Sequence, residues 1–86
     1  MELTKLQEIT LMYLKSNGFN YIVKELSGLS YAYKNIPFKE GKSHWKSRGL
    51  GDFTLVYTDF PFISFNDERP YYILEKYNIK GDNTNA

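Results

Sequence analysis

Residues 52–70 are the segment that most constrains the fold, since DFTLVYTDFPFISFNDERP holds four of the six phenylalanines, two of the three prolines and no lysine. The runs 54–57 and 62–65 have the β-branched and aromatic composition typical of strands. Between them, Pro61 fixes its own φ and disfavours helical backbone at Phe60. The pattern predicts two strands joined by a tight connection, with an apolar face that the rest of the chain must cover.

The stability of so short a chain must come largely from its aromatic side chains. The 86 residues include 8 Tyr, 6 Phe and 1 Trp but no cysteine, so neither a disulfide nor a thiolate-bound metal supports the fold. A chain of this length is enough for only one domain, which we predict over residues 1–79, and it buries only about 60–65% of its unfolded surface. Residues 80–86 hold no apolar side chain before Ala86, which predicts a disordered tail.

The composition and charge also bear on location and partners. No segment has the pattern of a signal peptide, and none approaches the roughly 20 apolar residues of a membrane-spanning helix, so we expect a soluble, cytoplasmic protein without a membrane partner. The net charge is only +1, but it is unevenly spread. Residues 34–48 carry five basic residues against Glu40, a net +4, and residues 49–75 carry five acidic residues against Arg69, a net −4.

The N-terminal segment predicts an α-helix over residues 4–17. Thr4 and Gln7 have the spacing of a capping box, in which the hydroxyl accepts from the Gln7 amide and the Gln7 side chain reaches back. Gly18 is placed to adopt the left-handed conformation that ends a helix, and Phe19 would then fold back on the last turn as in a Schellman motif.

A helical wheel indicates which side of this helix faces the core. One broad side is the apolar one and holds Leu3, Leu6, Ile9, Met12, Tyr13 and Leu14. Leu11 is the misfit, because it falls on the opposite side with Lys15. The pattern therefore predicts that the side containing Leu6 packs on the rest of the domain.

Residues 20–25 and 30–36 are strand-like and predict a hairpin with Ser27 and Gly28 as a two-residue turn. In that register Val23 faces Ala32, and the small Ala32 suits a helix lying close. The opposite side of the hairpin then holds Ile22, Lys24, Tyr31 and Tyr33. A slip by one residue would exchange the two sides.

The remaining segments complete the predicted architecture. Residues 37–51 predict a long loop, with room for a short strand around Trp45. Residues 66–69 predict a polar turn, and Pro70 then opens either a helix or a final strand over 71–79, with the helix favoured. We expect an α+β fold, in which the N-terminal helix packs on a small antiparallel sheet of about four strands with a short C-terminal helix or strand.

The best surface candidate is a group of basic residues around Trp45. The candidate partner-binding residues are Lys39, Lys42, Trp45, Lys46 and Arg48, with Tyr31 and Tyr33 as further aromatic contacts. Basic side chains beside a stacking ring could hold single-stranded nucleic acid, or they could meet an acidic protein surface. The alternatives are a solvated loop with Trp45 in the core, and tyrosines that pack under the C-terminal segment.

No catalytic residue, metal ligand or cofactor is predicted. Gly41-Lys42-Ser43 lacks the earlier glycine of a phosphate-binding loop, and Gly49-Leu50-Gly51 lacks the third glycine of a dinucleotide motif. His44 is the only histidine, and nothing at motif spacing supplies the nucleophile or carboxylate that a catalytic imidazole needs. We therefore expect a protein without enzymatic activity.

Four motifs give the chain a family resemblance over residues 14–74. They are NGFNYIV at 17–23, YAYKNIP at 31–37, Trp45, and FISFNDERP at 62–70. This pattern resembles that of small, uncharacterised accessory proteins encoded by phages and prophages of Gram-positive bacteria. In those proteins, Trp is usual at the position of Phe65, and an acidic turn is usual at residues 26–29. The resemblance implies a compact protein made during infection or carried by a mobile element, and it implies no catalytic residues.

Three functions follow as hypotheses. The first is a non-enzymatic phage or mobile-element factor that binds and inhibits or modulates a host protein or nucleoprotein complex, as an anti-defence or anti-CRISPR-like factor does. The alternative is a small nucleic-acid-binding accessory protein that uses the basic loop 38–50. The third is a symmetric oligomer formed through an edge strand.

Overall fold

The structure, a computed structural model, describes residues 2–79, so the predicted tail at 80–86 lies outside it. Within these residues the chain forms one α-helix, six strands and a short 3₁₀ turn. The helix is α1 (Lys5–Ser16), and the strands are β1 (Tyr21–Lys24), β2 (Ser30–Tyr33), β3 (Phe38–Glu40), β4 (His44–Lys46), β5 (Phe53–Val56) and β6 (Tyr71–Tyr72). The 3₁₀ turn is Glu75–Tyr77 and is separated from the end of β6 by two residues.

The described strands form a main sheet and a separate hairpin. Four strands pair antiparallel in the order β5-β2-β1-β6, and α1 packs on one face of this sheet. Strands β3 and β4 pair only with each other, and we call this pair the outer hairpin. The predicted α+β class is therefore confirmed, with its helix, its four-stranded antiparallel sheet and a short C-terminal element.

Both ends of α1 follow the predicted local chemistry. Gln7 N donates to Thr4 Oγ1 at 3.1 Å and Thr4 N donates to Gln7 Oε1 at 2.8 Å, so the capping box is present. At the other end Gly18 has φ +91°, and Phe19 N donates to Leu14 O at 2.9 Å, the six-to-one hydrogen bond of a Schellman motif. Local sequence rules therefore set where this helix begins and ends.

The side of α1 that faces the core differs from the prediction. Leu11, the expected misfit, has no exposed surface, whereas Leu6 is 62% exposed. Gln7 and Lys15 are also buried, because their polar ends find partners: Gln7 Nε2 donates to Asp59 O at 3.0 Å, and Lys15 Nζ donates to Asn20 Oδ1 at 2.7 Å. Polar residues with apolar stems and satisfied tips can lie on the core face, which a wheel based on polarity cannot anticipate.

This orientation predicts a contrast between two leucines of the same helix. Leu11→Ala should lower the free energy of unfolding by about 2–5 kcal/mol, because it leaves a cavity in the core. Leu6→Ala should change it by less than about 0.5 kcal/mol, since that side chain is mostly in solvent. Urea unfolding of both variants measures the difference, and equal effects would show that α1 packs the other way round.

The first hairpin has a register one residue away from the predicted one. Its loop has three residues rather than two: Glu25 N donates to Leu29 O and Gly28 N donates to Glu25 O, both at 2.8 Å. Gly28 lies at φ +100°, the left-handed residue that follows a turn in such loops. Ile22 therefore faces Ala32, so the prediction that Val23 faces Ala32 is wrong.

The shifted register gives each face of the main sheet its own core. Toward α1 lies the helix-side core, which contains Leu11, Leu14, Ile22, Ala32, Val56, Phe60, Ile63 and Ile73. On the opposite face lies the hairpin-side core, where Val23, Tyr33 and Trp45 are buried. The molecule thus has three layers, with the main sheet between α1 and the outer hairpin.

The phenylalanine-rich segment contributes one strand, not two. Residues 53–56 form β5, one residue earlier than the predicted strand at 54–57, but 62–65 do not pair with any described strand. Instead the chain turns repeatedly: Ile63 N donates to Phe60 O at 2.9 Å, and Ser64 N donates to Asp67 Oδ2 at 3.0 Å. Side chains that satisfy nearby backbone groups compete with strand pairing, and here they leave Phe60 and Ile63 to fill the helix-side core.

Two further segments also differ from expectation. Residues 37–51, predicted as a loop, contain both strands of the outer hairpin, although the strand around Trp45 was foreseen. After Pro70 the chain forms β6 first and the 3₁₀ turn second, so this segment contains both a short strand and a short helical turn. Each of these strands has two or three residues, too few for an alternating pattern to be read from sequence.

Candidate protein-binding surface

The outer hairpin is fixed to the main sheet by Trp45. This side chain is only 5% exposed and packs with Val23 and Tyr33 in the hairpin-side core. Two hydrogen bonds add to the packing: Tyr33 Oη donates to Trp45 O at 3.2 Å, and Leu26 N donates to Ser43 O at 3.2 Å. The hairpin is therefore held by a buried ring and at two points of backbone, which makes it a well-defined platform.

Strand alternation decides what this platform shows to solvent. Lys39 pairs with Trp45 across the hairpin, so both lie on the side facing the main sheet. The neighbouring pairs, Phe38 with Lys46 and Glu40 with His44, lie on the outer side. The outer side of the hairpin is therefore a mixture of charged groups and one aromatic ring.

The four predicted basic residues are all exposed but have different surroundings. Lys46 Nζ lies 3.4 Å from Glu40 Oε2, a solvent-exposed ion pair worth about 0–1 kcal/mol. Lys39 Nζ lies 4.6 Å from the centroid of the Phe65 ring and 5.4 Å from that of Trp45. Arg48 lies 5.5 Å from the centroid of Phe38, and Lys42 occupies the exposed turn of the hairpin. Two of the four cations, Lys39 and Arg48, therefore lie beside aromatic rings.

The predicted aromatic contacts are mostly inside the fold. Trp45 and Tyr33 are 5% and 4% exposed, so neither ring is free to serve as a contact in this conformation. Tyr31 is half-buried and meets Phe53 edge-on, with the ring centroids 5.8 Å apart. Of the alternatives left open by the sequence, the structure places Trp45 in the core. The tyrosines, predicted under the C-terminal segment, lie instead beside Trp45 for Tyr33 and beside Phe53 for Tyr31.

Other apolar side chains take their place at the surface. Ile36 is 62% exposed, Phe38 40% and Tyr72 46%. Sequence reasoning missed Phe38 because its exposure depends on which residues the outer hairpin turns inward, and that follows from the burial of Trp45. Had the burial of Trp45 been assumed, alternation along 38–46 would have placed Phe38 outside.

A groove runs beside the outer hairpin, and we call it the aromatic groove. It encloses about 600 Å³ and is lined by Tyr21, Ile36, Pro37, Phe38, Lys39, Trp45, Glu68, Arg69, Pro70 and Tyr72. One wall comes from residues 36–39 and the other from residues 68–72, so the groove lies between the outer hairpin and the segment that leads into β6. Its volume falls within the range of about 300–1,000 Å³ that is usual for ligand sites.

The loop that carries Arg48 is held by a buried carboxylate. Asp52 is 4% exposed and accepts hydrogen bonds from Ser47 Oγ at 2.5 Å and from Asn35 Nδ2 at 3.3 Å. Lys34 N also donates to Asp52 O at 2.9 Å. These bonds fix the return of the chain from β4 to β5 and hence the position of Arg48 beside the hairpin.

Burial of Tyr33 makes the hairpin-side core sensitive to alkaline pH. Desolvation, with smaller contributions from Glu25, Tyr31 and Asp52, raises the pKa of Tyr33 from 10.0 to about 12. Between these values the unfolded chain loses its proton while the folded chain keeps it. Stability from this residue is therefore complete below pH 10 and is lost as the pH rises toward 12.

Tyr33→Phe tests this linkage. At neutral pH the variant should lose about 0.5–1.5 kcal/mol, the value of the hydrogen bond from Tyr33 Oη to Trp45 O. From pH 10 to 12 its stability should fall less steeply than that of the wild type. Burial also raises the pKa of Tyr71, so some slope should remain. Thermal unfolding at a series of pH values measures both slopes, and parallel slopes would contradict the assignment to Tyr33.

His44 and the carboxylates form no metal site in the part of the chain that the structure describes. His44 is exposed, and its Nδ1 lies 3.3 Å from Glu25 Oε1. Within residues 2–79, no three side chains of the kinds that bind metals cluster closely enough to hold an ion. None of the helices formed by these residues is long and apolar enough to cross a bilayer.

Comparison with protein-family models, with curated proteins and with solved structures found no match to this chain.

Proposed function

We propose that this protein is a non-enzymatic accessory factor of a phage or mobile element that binds a host protein through the surface of the outer hairpin. In this proposal the protein acts in the host cytoplasm and inhibits or modulates its target, as an anti-defence or anti-CRISPR-like factor does. The observation that carries the binding role is the outer hairpin itself, which Trp45 anchors to the main sheet while its exposed side presents cations and apolar groups together.

The composition of this surface supports a protein partner. Protein interfaces combine exposed aromatic and aliphatic groups with arginine, surrounded by polar side chains. Ile36, Phe38 and Arg48 provide such a combination within a single short segment of the chain. Because the hairpin is already ordered, binding would lose little conformational entropy, which favours affinity.

A nucleic-acid partner has less support from the geometry. Single-stranded nucleic acid binds to exposed rings on which bases stack, and Trp45 and Tyr33 are buried. Lys46 is already paired with Glu40, which reduces the positive charge available to phosphates. Nucleic-acid binding by loop 38–50 is therefore the alternative that the co-purification test must distinguish from protein binding.

The phage or mobile-element setting rests on the family resemblance of residues 17–37 and 62–70. Residues of these motifs also have structural roles, since Gly18 ends α1 and residues 30–33 form β2. The setting and the anti-defence role accordingly remain part of the proposal, and the binding surface can be tested without them.

Co-purification from a lysate of Gram-positive host cells tests the proposal. The surface variant Lys42→Glu with Arg48→Glu reverses two exposed charges at the outer hairpin, and the control variant Lys5→Glu with Lys76→Glu reverses two exposed charges elsewhere. We expect the wild type and the control variant to retain a specific protein, and the surface variant to retain it at least about tenfold less well. Equal retention by both variants, or retention that nuclease treatment abolishes, would contradict a protein partner at this surface.

A further inference from the structure

The aromatic groove has the features of a peptide-binding site. We propose that it binds an extended, acidic, proline-containing segment of the partner protein. This inference rests on the proposed function, because it assigns the part of the partner that the protein recognises. It is carried by the walls of the groove, by its unpaired cations and by the indole of Trp45.

The walls favour a peptide in an extended conformation. Tyr21, Phe38 and Tyr72 supply aromatic surface along the groove, which is open to solvent rather than a closed cavity. Pro37 and Pro70 stand in opposite walls and carry no backbone N–H, so a ladder of strand hydrogen bonds cannot run unbroken along either wall. A polyproline-type segment has no need of such a ladder, and aromatic-lined grooves are the usual site for it.

The charges favour a carboxylate on that segment. Lys39 and Arg69 both line the groove, and within residues 2–79 neither lies within ion-pair distance of a carboxylate. Lys39 is held above the Phe65 and Trp45 rings, so its ammonium group is positioned in advance. Glu68 is the one acid of the lining, which leaves a net positive charge. A carboxylate on the peptide would form the charge-assisted hydrogen bonds that both cations lack.

Trp45 adds a donor that has no acceptor. Its Nε1 is the one buried side-chain nitrogen or oxygen in the described part of the chain without a hydrogen-bond partner. Buried donors are nearly always paired in folded proteins, so an unpaired one points to a partner that is bound at another time. Trp45 lines the groove, so a carbonyl oxygen of the bound peptide is the acceptor assigned to its indole N–H.

Selection from a displayed library of random short peptides tests this inference without knowledge of the partner. The groove variant is Lys39→Glu with Arg69→Glu, both exposed residues, and the control variant is again Lys5→Glu with Lys76→Glu. We expect wild-type protein to enrich peptides that carry Asp or Glu beside Pro. Synthetic copies of these peptides should change the fluorescence of Trp45, which is the only tryptophan. They should bind the control variant as they bind the wild type and the groove variant at least about tenfold more weakly.

Several outcomes would overturn the inference. One is that the wild type and the groove variant enrich the same peptides, and another is that the enriched peptides lack acidic residues. Equal binding of the selected peptides to the wild type and the groove variant would also contradict it. The proposed function fails differently, since it fails when the surface variant keeps the host protein. If the surface variant loses the host protein and the groove variant keeps it, the host-protein interaction stands and the aromatic groove is not where the partner's peptide binds.

Discussion

Trp45→Ala is expected to lower the free energy of unfolding by about 3–5 kcal/mol. The side chain is 5% exposed and joins Val23 and Tyr33 in the hairpin-side core, so its removal leaves a cavity between the main sheet and the outer hairpin. Urea denaturation followed by far-UV circular dichroism measures the loss. The same variant should release the outer hairpin, so amide hydrogens of residues 38–46 should exchange faster than in the wild type.

A matched substitution separates packing from hydrogen bonding at this position. Trp45→Phe removes the unpaired Nε1 donor but keeps a ring in the core, and it should cost clearly less than Trp45→Ala. A loss below about 1 kcal/mol for Trp45→Ala would mean that the outer hairpin is not held to the sheet by this ring.

Phe60→Ala is expected to have a comparable effect, about 3–5 kcal/mol, on the opposite side of the main sheet. Phe60 has no exposed surface and meets Phe62 edge-on, with the ring centroids 5.9 Å apart. Its burial shows that a turn can fill the helix-side core without forming a strand. Thermal or chemical unfolding of the variant gives the loss of stability directly.

Phe53→Ala is the control for this substitution, because both phenylalanines belong to the same apolar segment. Phe53 is 53% exposed and contacts only the rim of the hairpin-side core, beside Tyr31 and Tyr33. Its replacement should cost about 1 kcal/mol, the order expected for partial loss of aromatic contacts. If Phe53→Ala proved the more damaging of the two, the placement of residues 57–63 under the helix would be wrong.

The parts of the fold that could be predicted are those fixed by neighbouring residues. Thr4 and Gln7 specify the helix start through their own hydrogen bonds, and Gly18 specifies its end through a backbone conformation that other residues rarely adopt. The α+β class followed from one amphipathic segment and several short strand-like runs. These signals need no knowledge of what packs against them.

The parts that could not be predicted depend on distant partners. α1 carries apolar residues on two sides, and the choice between Leu6 and Leu11 depends on partners for Gln7 and Lys15 that lie far along the chain. The register of the first hairpin depended on whether Gly28 formed part of a two-residue or a three-residue loop. Both loop lengths satisfy the local sequence pattern, and only the packing of Ala32 and Ile22 against the helix decides between them.

The candidate site shows the same division. Its cations could be located from sequence because a run of basic residues stays exposed to solvent in whatever fold the chain adopts. The aromatic contacts could not, because a tryptophan among lysines is compatible with stacking on a partner and with burial. Burial of Trp45 turned Phe38 outward and, together with the segment 68–72, created the aromatic groove.

A second exposed apolar region bears on the predicted oligomer. Leu6, Ile9 and Tyr13 form a stripe on the outer side of α1, and Tyr57, 89% exposed, follows the unpaired edge of β5. Uncharged edge strands can pair with another chain, so a symmetric oligomer through β5 remains a prediction. Light scattering at several protein concentrations tests it independently of the outer hairpin.

Hydrogen exchange with and without the co-purified host protein tests the central claim, that the outer hairpin and its groove form the recognition surface. The account predicts that binding slows amide exchange in residues 36–48 and 68–72 and leaves α1 unchanged. Protection confined to α1 and β5, with no change at the outer hairpin, would contradict it.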